Sequence, residues 1–146
     1  MSGMSDYLEN KLLDFLFRGQ AFVPPGSLYV ALFTADPTDA GGGTEVTGGS
    51  YARVAVTSSL ANWAGSQATA STTASSGTSG TTSNNGSITF PSPTANWGVI
   101  QGIAIMDNSV GGNVLFYGAL GTPKTVNNGD AAPTFPATAL AVQIDN

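Results

Sequence analysis

Apolar positions recur at helical spacing only once, near the start of the chain. In "YLENKLLDFLFRG", residues 7 to 19, Leu8, Leu12, Phe15 and Leu16 fall at i, i+4, i+7 and i+8 and form one stripe, which Leu13 and Phe17 widen. Ser5 is placed to cap the first turn, Asp6 and Glu9 lie at the positive end of the helix dipole, and Arg18 and Gly19 mark the stop. The spacing predicts a helix over about 5–18. At roughly 14 residues such a helix is marginal alone in water, so it has to dock on a sheet or on another subunit. It is far too short to cross a bilayer, and no membrane insertion is expected.

The rest of the chain alternates. "SLYVALFT", 27 to 34, sets Leu28, Val30 and Leu32 against Tyr29, Ala31 and Phe33, which predicts a central strand covered on both faces. "DPTD", Asp36 to Asp39, reads as a turn with Pro37 at its second position. "SYARVAVT", 50 to 57, places Ala52, Val54 and Val56 on a core face and Tyr51, Arg53 and Thr57 on a wetter one. "SITF", 87 to 90, follows an Asn85-Gly86 turn signal and stops at Pro91. "WGVIQGIAIMD", 97 to 107, "GNVLFYGAL", 112 to 120, and "ATALAVQID", 137 to 145, complete the set, with a turn over Asn127 to Asp130 before the last. The expected fold is all-β: a single β-sandwich of short antiparallel strands over about 27–145, with one N-terminal amphipathic α-helix laid across an end or a face. A length of 146 residues fits one domain, 1–146.

No charged side chain occurs between Arg53 and Asp107, and residues 65 to 86 are almost wholly Ser, Thr, Gly, Ala and Asn. Two readings of that tract are open: a flexible low-complexity loop, or an ordered arm lying on a neighbouring subunit. Both keep it outside the core, and both predict that residues 66 to 84 can be shortened to a tight turn.

Charge and composition then remove whole classes of function. The four basic residues, Lys11, Arg18, Arg53 and Lys124, face nine acidic ones, and a net charge of −5 argues against a nucleic-acid partner. With neither His nor Cys, the usual triads, imidazole bases and thiolate metal sites are unavailable. Asp36 and Asp39 flank a proline turn, where Asp is favoured for backbone capping rather than for catalysis. "DNSVGGN", 107 to 113, and "NNGD", 127 to 130, carry oxygen ligands without the spacing of a calcium loop, so turn chemistry is the simpler account. "GGG", 41 to 43, lacks the residues that complete a phosphate loop. No enzyme activity, cofactor or metal is expected. "MSGMSDYLENK" has no basic segment followed by an unbroken apolar one, so no secretory signal is expected and the chain is expected to be made and used without classical export.

Trp63 and Trp97 recur in similar contexts, "LANWAG" and "TANWGV". They could stack on sugars, but a core edge or subunit interface is the simpler use of Trp. Phe15, Phe17, Phe33, Phe90 and Phe116 are expected in the core. The candidate interface residues are Leu8, Leu12, Phe15, Leu16, Trp63 and Trp97.

The series "YLENKLLDFLFRG", "PPGSLYVALFTADPTDAGGGTEV", "GSYARVAV", "ITFPSPTANWGVIQGIAIMD" and "GGNVLFYGAL" resembles a family of small tailed-bacteriophage virion structural proteins commonly labelled tail-fibre-like. The tract at 65–86 departs from that pattern, which passes more directly from the "YAR" strand to "ITFP". The resemblance implies a non-enzymatic virion component whose partners are the phage major capsid protein or tail proteins. Within that class the small size, acidic charge and absence of a fibrous repeat favour a homotrimeric capsid decoration, or cement, protein on the head surface. The alternative is a tail-fibre or baseplate-associated module involved in host attachment. A carbohydrate-active enzyme is disfavoured by the missing catalytic groups.

Overall fold

In the computed structural model, which describes residues 3–144, the chain runs β1 (Gly3–Met4), α1 (Asp6–Phe17), β2 (Ser27–Ala35), β3 (Thr44–Glu45), β4 (Val54–Thr57), β5 (Thr81–Ser83), β6 (Ile88–Thr89), β7 (Gly98–Met106), β8 (Val114–Val126), β9 (Thr134–Phe135) and β10 (Ala141–Gln143). The extreme ends of the expected domain, and Asp145 at the end of the expected last strand, lie outside the described residues.

The long strands form a six-stranded antiparallel sheet in the order β1-β8-β7-β2-β3, with β4 also pairing β2. The alternation of "SLYVALFT" works as expected. Val30 and Leu32 enter the main core with Ile100, Ile105 and Val126, while Ala31 and Phe33 join Ala104, Met106 and Val114 in a smaller cluster on the other face. Both faces are buried because both are covered.

The cover on the main face differs from a single sandwich. Two separate two-stranded ribbons, β5 with β10 and β6 with β9, supply Ile88 and Val142 to the core, with Leu140 just ahead of β10, so the described residues form three sheets rather than one continuous sandwich. Proline limits one of them: Pro133 precedes β9 and Pro136 follows it, and neither can donate to a ladder. The expected strand at 137–145 contracts to β10 for a related reason, since the backbone turns at Pro136 to Ala139 before it can pair.

Other expected boundaries move as well. The strand at 112–120 extends to Val126. The turn expected at Asp36 to Asp39 forms instead between Thr38 and Gly41, whose backbones exchange two 2.9 Å hydrogen bonds, and Pro37 is buried before it. Only Val54–Thr57 of the expected 50–57 strand pairs with β2, and just ahead of it Tyr51 turns into the core while Ala52 faces out.

Helix α1 starts where its sequence signals lie. The Ser5 side chain accepts from the Leu8 N–H at 3.2 Å and donates to the Val114 carbonyl, while the Ser5 N–H reaches the Leu115 carbonyl at 3.0 Å and the Asp6 N–H the Asp39 carbonyl at 2.9 Å. These bonds fasten the first turn to β8 and to the 38–41 turn. At the other end Arg18 is the C-cap and Gly19 has a φ of 66°, the left-handed geometry a helix stop requires.

Within the uncharged tract the side chains bond chiefly to one another. Gln67 is its hub: its Nε2 donates to Ser71 and Thr73 hydroxyls at 2.7 and 2.8 Å, and its Oε1 accepts from the Ser76 N–H at 3.1 Å. The last part of the tract is not peripheral. Thr81–Ser83 is β5, and Ser83 and Asn84 are buried, which overturns the expectation that all of 66–84 is dispensable to the core.

Candidate functional site

Two regions of the surface carry unusual chemistry, and the first is the edge of β2. That edge is shared between β4 at Ser27 to Val30 and β3 at Phe33 to Ala35, leaving Leu32 between the two ladders. Its carbonyl accepts from the Val46 N–H at 3.0 Å, and its N–H donates to the Tyr51 hydroxyl at 2.9 Å. Tyr51 in turn donates to Glu45 Oε1 at 2.9 Å, and its ring stands edge-on to Trp97 at 5.4 Å and parallel to Phe90 at 6.2 Å. Burial pushes the Tyr51 hydroxyl far above the usual tyrosine range, and the neighbouring Glu45 carboxylate pushes the same way.

Beside it Arg53 and Glu45 form a forked ion pair, Nε to Oε1 at 2.8 Å and Nη2 to Oε2 at 2.7 Å. The remaining guanidinium nitrogen, Nη1, donates to the Asn108 and Gly111 carbonyls, both at 2.7 Å. The Arg53 side chain is only 7 % exposed, and its hydrogen bond to Glu45 is the main reason its pKa is raised further. Arg53 therefore ties β3, the start of β4 and the β7–β8 hairpin together. Sequence alternation put Arg53 and Tyr51 on a wet face; the available clue was that Arg53 is the last charge before Asp107 and has Glu45 eight residues upstream.

Between this pair and the start of α1 lies an open cavity of about 570 Å³, floored by Phe33, Met106 and Val114 and rimmed by Tyr7, Asp39 and Gly112. Its buried charges are fully engaged: Glu45 with Arg53 and Tyr51, and Arg53 with the hairpin. Asp107, at the hairpin base, holds the Asn113 backbone and side-chain amides at 2.7 and 2.8 Å, which is turn chemistry. Among the described residues no group of three or more acidic, His or Cys side chains could hold a metal ion. Asp36 and Asp39 do not converge on this cavity as a pair; only Asp39 lines it.

The second region is α1. Of the stripe read from the sequence, Leu8 is buried within its own chain, Leu12 is half-buried, and Phe15 and Leu16 are exposed by 51 % and 67 %. Leu13 at 53 % and Phe17 at 79 % are exposed too, so Phe15 and Phe17 are not core residues of this chain; Phe33 and Phe90 are, and Phe116 packs against the core. Contacts to β8 are what hold the helix, near its first turn, and its C-terminal half runs on without cover. Trp97 is buried and donates from Nε1 to the Gly49 carbonyl at 2.9 Å. Trp63 packs against the main core from its edge, and its buried Nε1 has no hydrogen-bond partner among the described residues. The six candidates are thus divided between the interior and the helix rather than gathered into one patch.

The chain belongs to the family described as Gp80, the podophage GP4 fiber I protein gp80, whose match runs over residues 3–143. No curated protein matches the chain. It is accordingly a non-catalytic phage virion structural protein of a fiber family. The family description names a fiber, which fits the tail-fibre alternative better than the capsid-decoration reading favoured on size and charge.

Proposed function

We propose that this chain is a tail-fibre module, a compact structural subunit that joins the fibre assembly through its exposed helix. The observation that carries the reading is the match to a fiber family over residues 3–143, which leaves little of the chain for a separate role. The fold supports it. A shaft requires a repeat, whereas here the long strands close on one core and the charged side chains brace a hairpin, the construction of a rigid base, adaptor or tip. On this reading the whole of 1–146 acts as one domain, the partners are other tail proteins and further copies of the chain, and the location is the tail. Cryo-electron microscopy of purified particles tests it: density for this chain is expected on the tail in tens of copies at most. Hundreds of copies on the head shell would overturn the tail placement and restore decoration.

A further inference from the structure

We infer that the Asn128-Gly129 pair is a site of spontaneous chemical modification, at which the Asn128 side chain cyclises onto the backbone and is converted to aspartate and isoaspartate. The sequence contains two Asn-Gly pairs, Asn85-Gly86 and Asn128-Gly129, each preceded by a further Asn, so their local sequences are closely alike. The reaction is the same at either. The glycine backbone nitrogen attacks the side-chain carbonyl carbon of the asparagine, forming a C–N bond and giving up its proton, while the bond to the side-chain amide nitrogen breaks and that nitrogen leaves as ammonia. Water then opens the cyclic imide at one of its two carbonyls. Aspartate results where the original backbone is kept, and isoaspartate where the chain runs on through the side chain. Glycine is the favourable neighbour because no Cβ hinders the approach. Both glycines stand in open space, with no atom beyond their chain neighbours within 4 Å of where a Cβ would lie, so the difference between the pairs lies in the asparagines.

Asn85 is held in place. Its Nδ2 donates to the Leu60, Ala61 and Ser71 carbonyls at 3.5, 3.1 and 3.2 Å, its Oδ1 is buried, and its backbone N–H reaches the Asn62 carbonyl at 2.8 Å. Turning its side chain onto Gly86 breaks these side-chain bonds and pulls it away from residues 60–62. Asn128 is free to turn: it is exposed, and its side chain makes no hydrogen bond among the described residues. Only the backbone is fixed there, in a turn closed by the Asp130 N–H on the Asn127 carbonyl at 3.1 Å, with Gly129 at its third position and a φ of 82°. One bond opposes the attack, from the Gly129 N–H to the Pro93 carbonyl at 3.0 Å, and it lies on an exposed turn where local opening costs little.

Conversion changes the turn. It adds a negative charge to a chain already at −5, two residues from Asp130, whose Oδ2 caps the Asn127 N–H at 2.7 Å. Isoaspartate also lengthens the backbone between two amides that hold the loop ahead of β7, the Asn128 N–H on Asn96 Oδ1 at 2.9 Å and the Gly129 N–H on Pro93. The modified turn is expected to loosen its hold on residues 93–96. A chain built into a particle is not replaced, so the modified fraction is expected to grow with particle age.

The test incubates the full chain in mildly alkaline buffer, native and in urea, until the urea sample has reacted at both pairs, and then digests it with trypsin. Cleavage after Arg53 and Lys124 places Asn85 and Asn128 on different peptides, 54–124 and 125–146, whose mass gain and fragmentation locate each product against an unincubated sample. In urea the two pairs are expected to convert at similar rates. In the native protein the ratio of Asn128 to Asn85 conversion is expected to rise by at least about tenfold, because each hydrogen bond that must open first slows the reaction several-fold and Asn85 has more of them to open. Asn128→Gln, whose longer side chain closes a ring far more slowly, is expected to remove the mass gain of peptide 125–146. A ratio that does not rise on folding, or an Asn128 that stays intact in the native protein while it reacts in urea, would overturn the inference. So would a mass gain of peptide 125–146 that persists unchanged in Asn128→Gln.

Discussion

The Tyr51 hydroxyl accepts the Leu32 backbone N–H at 2.9 Å, standing in for the missing neighbour strand where β2 passes from β4 to β3. An interior strand edge left open at that point would bury an unpaired amide. Because the same hydroxyl donates to Glu45, Tyr51 connects the sheet edge, the aromatic cluster with Trp97 and Phe90, and the ion pair that holds the hairpin.

Tyr51→Phe keeps the ring and removes only the hydroxyl. It is expected to lower unfolding free energy by about 1–3 kcal/mol, the cost of leaving a buried N–H unpaired. Urea denaturation checks the value, with an unchanged slope reporting that the fold is otherwise intact.

Alkaline pH acts on the same group. The unfolded Tyr51 releases its proton near pH 10, whereas burial raises the folded value well above that. Its contribution to stability is therefore fully present below about pH 10 and is lost as pH rises beyond it, because ionisation favours the unfolded chain. The stability gap between wild type and Tyr51→Phe is expected to narrow steadily above pH 10 in parallel urea titrations, and a constant gap would contradict this linkage.

Arg53→Ala leaves the Glu45 carboxylate without its fork and frees the Asn108 and Gly111 carbonyls. The expected loss is about 2–4 kcal/mol, with Arg53→Lys intermediate because an ammonium keeps the charge but not the bidentate geometry. Hydrogen exchange at residues 108–112 is expected to quicken more than exchange in β2, which would separate release of the hairpin from general destabilisation.

The uncharged tract is expected to divide at Gly80. Replacing residues 68–79 with a short linker removes the Gln67-centred network but no paired strand, and is expected to cost less than about 1 kcal/mol, since closure entropy varies slowly with loop length. Asn84→Ala is expected to cost about 2–3 kcal/mol: the Asn84 amide is 1 % exposed, donates to the Gly86 and Pro136 carbonyls and accepts from the Leu140 N–H at 2.9 Å. Thermal melts of the two variants give the comparison.

Much of this protein was determined locally. Ser5, Asp6, Glu9 and Gly19 are enough to delimit α1, because caps and dipole act within one turn, and the double alternation of residues 27 to 34 is enough to identify β2 as a strand covered on both faces. The missing His and Cys removed the usual catalytic groups, and the motif series pointed to a phage structural family. Tertiary structure alone decided the rest. Strands of two or three residues such as β5, β6, β9 and β10 have no periodicity to read, so their pairing into two ribbons depends on partners 45 or more residues away. Tyr51 and Arg53 looked wet by alternation, yet turn inward because the edge of β2 needs an acceptor and Glu45 needs a counter-charge, requirements set by chain segments that sequence spacing does not bring together. The helix shows the same division: its apolar stripe is written in the sequence, but that its own sheet covers Leu8 and leaves Leu13, Phe15, Leu16 and Phe17 exposed follows from where the first turn is bolted to β8.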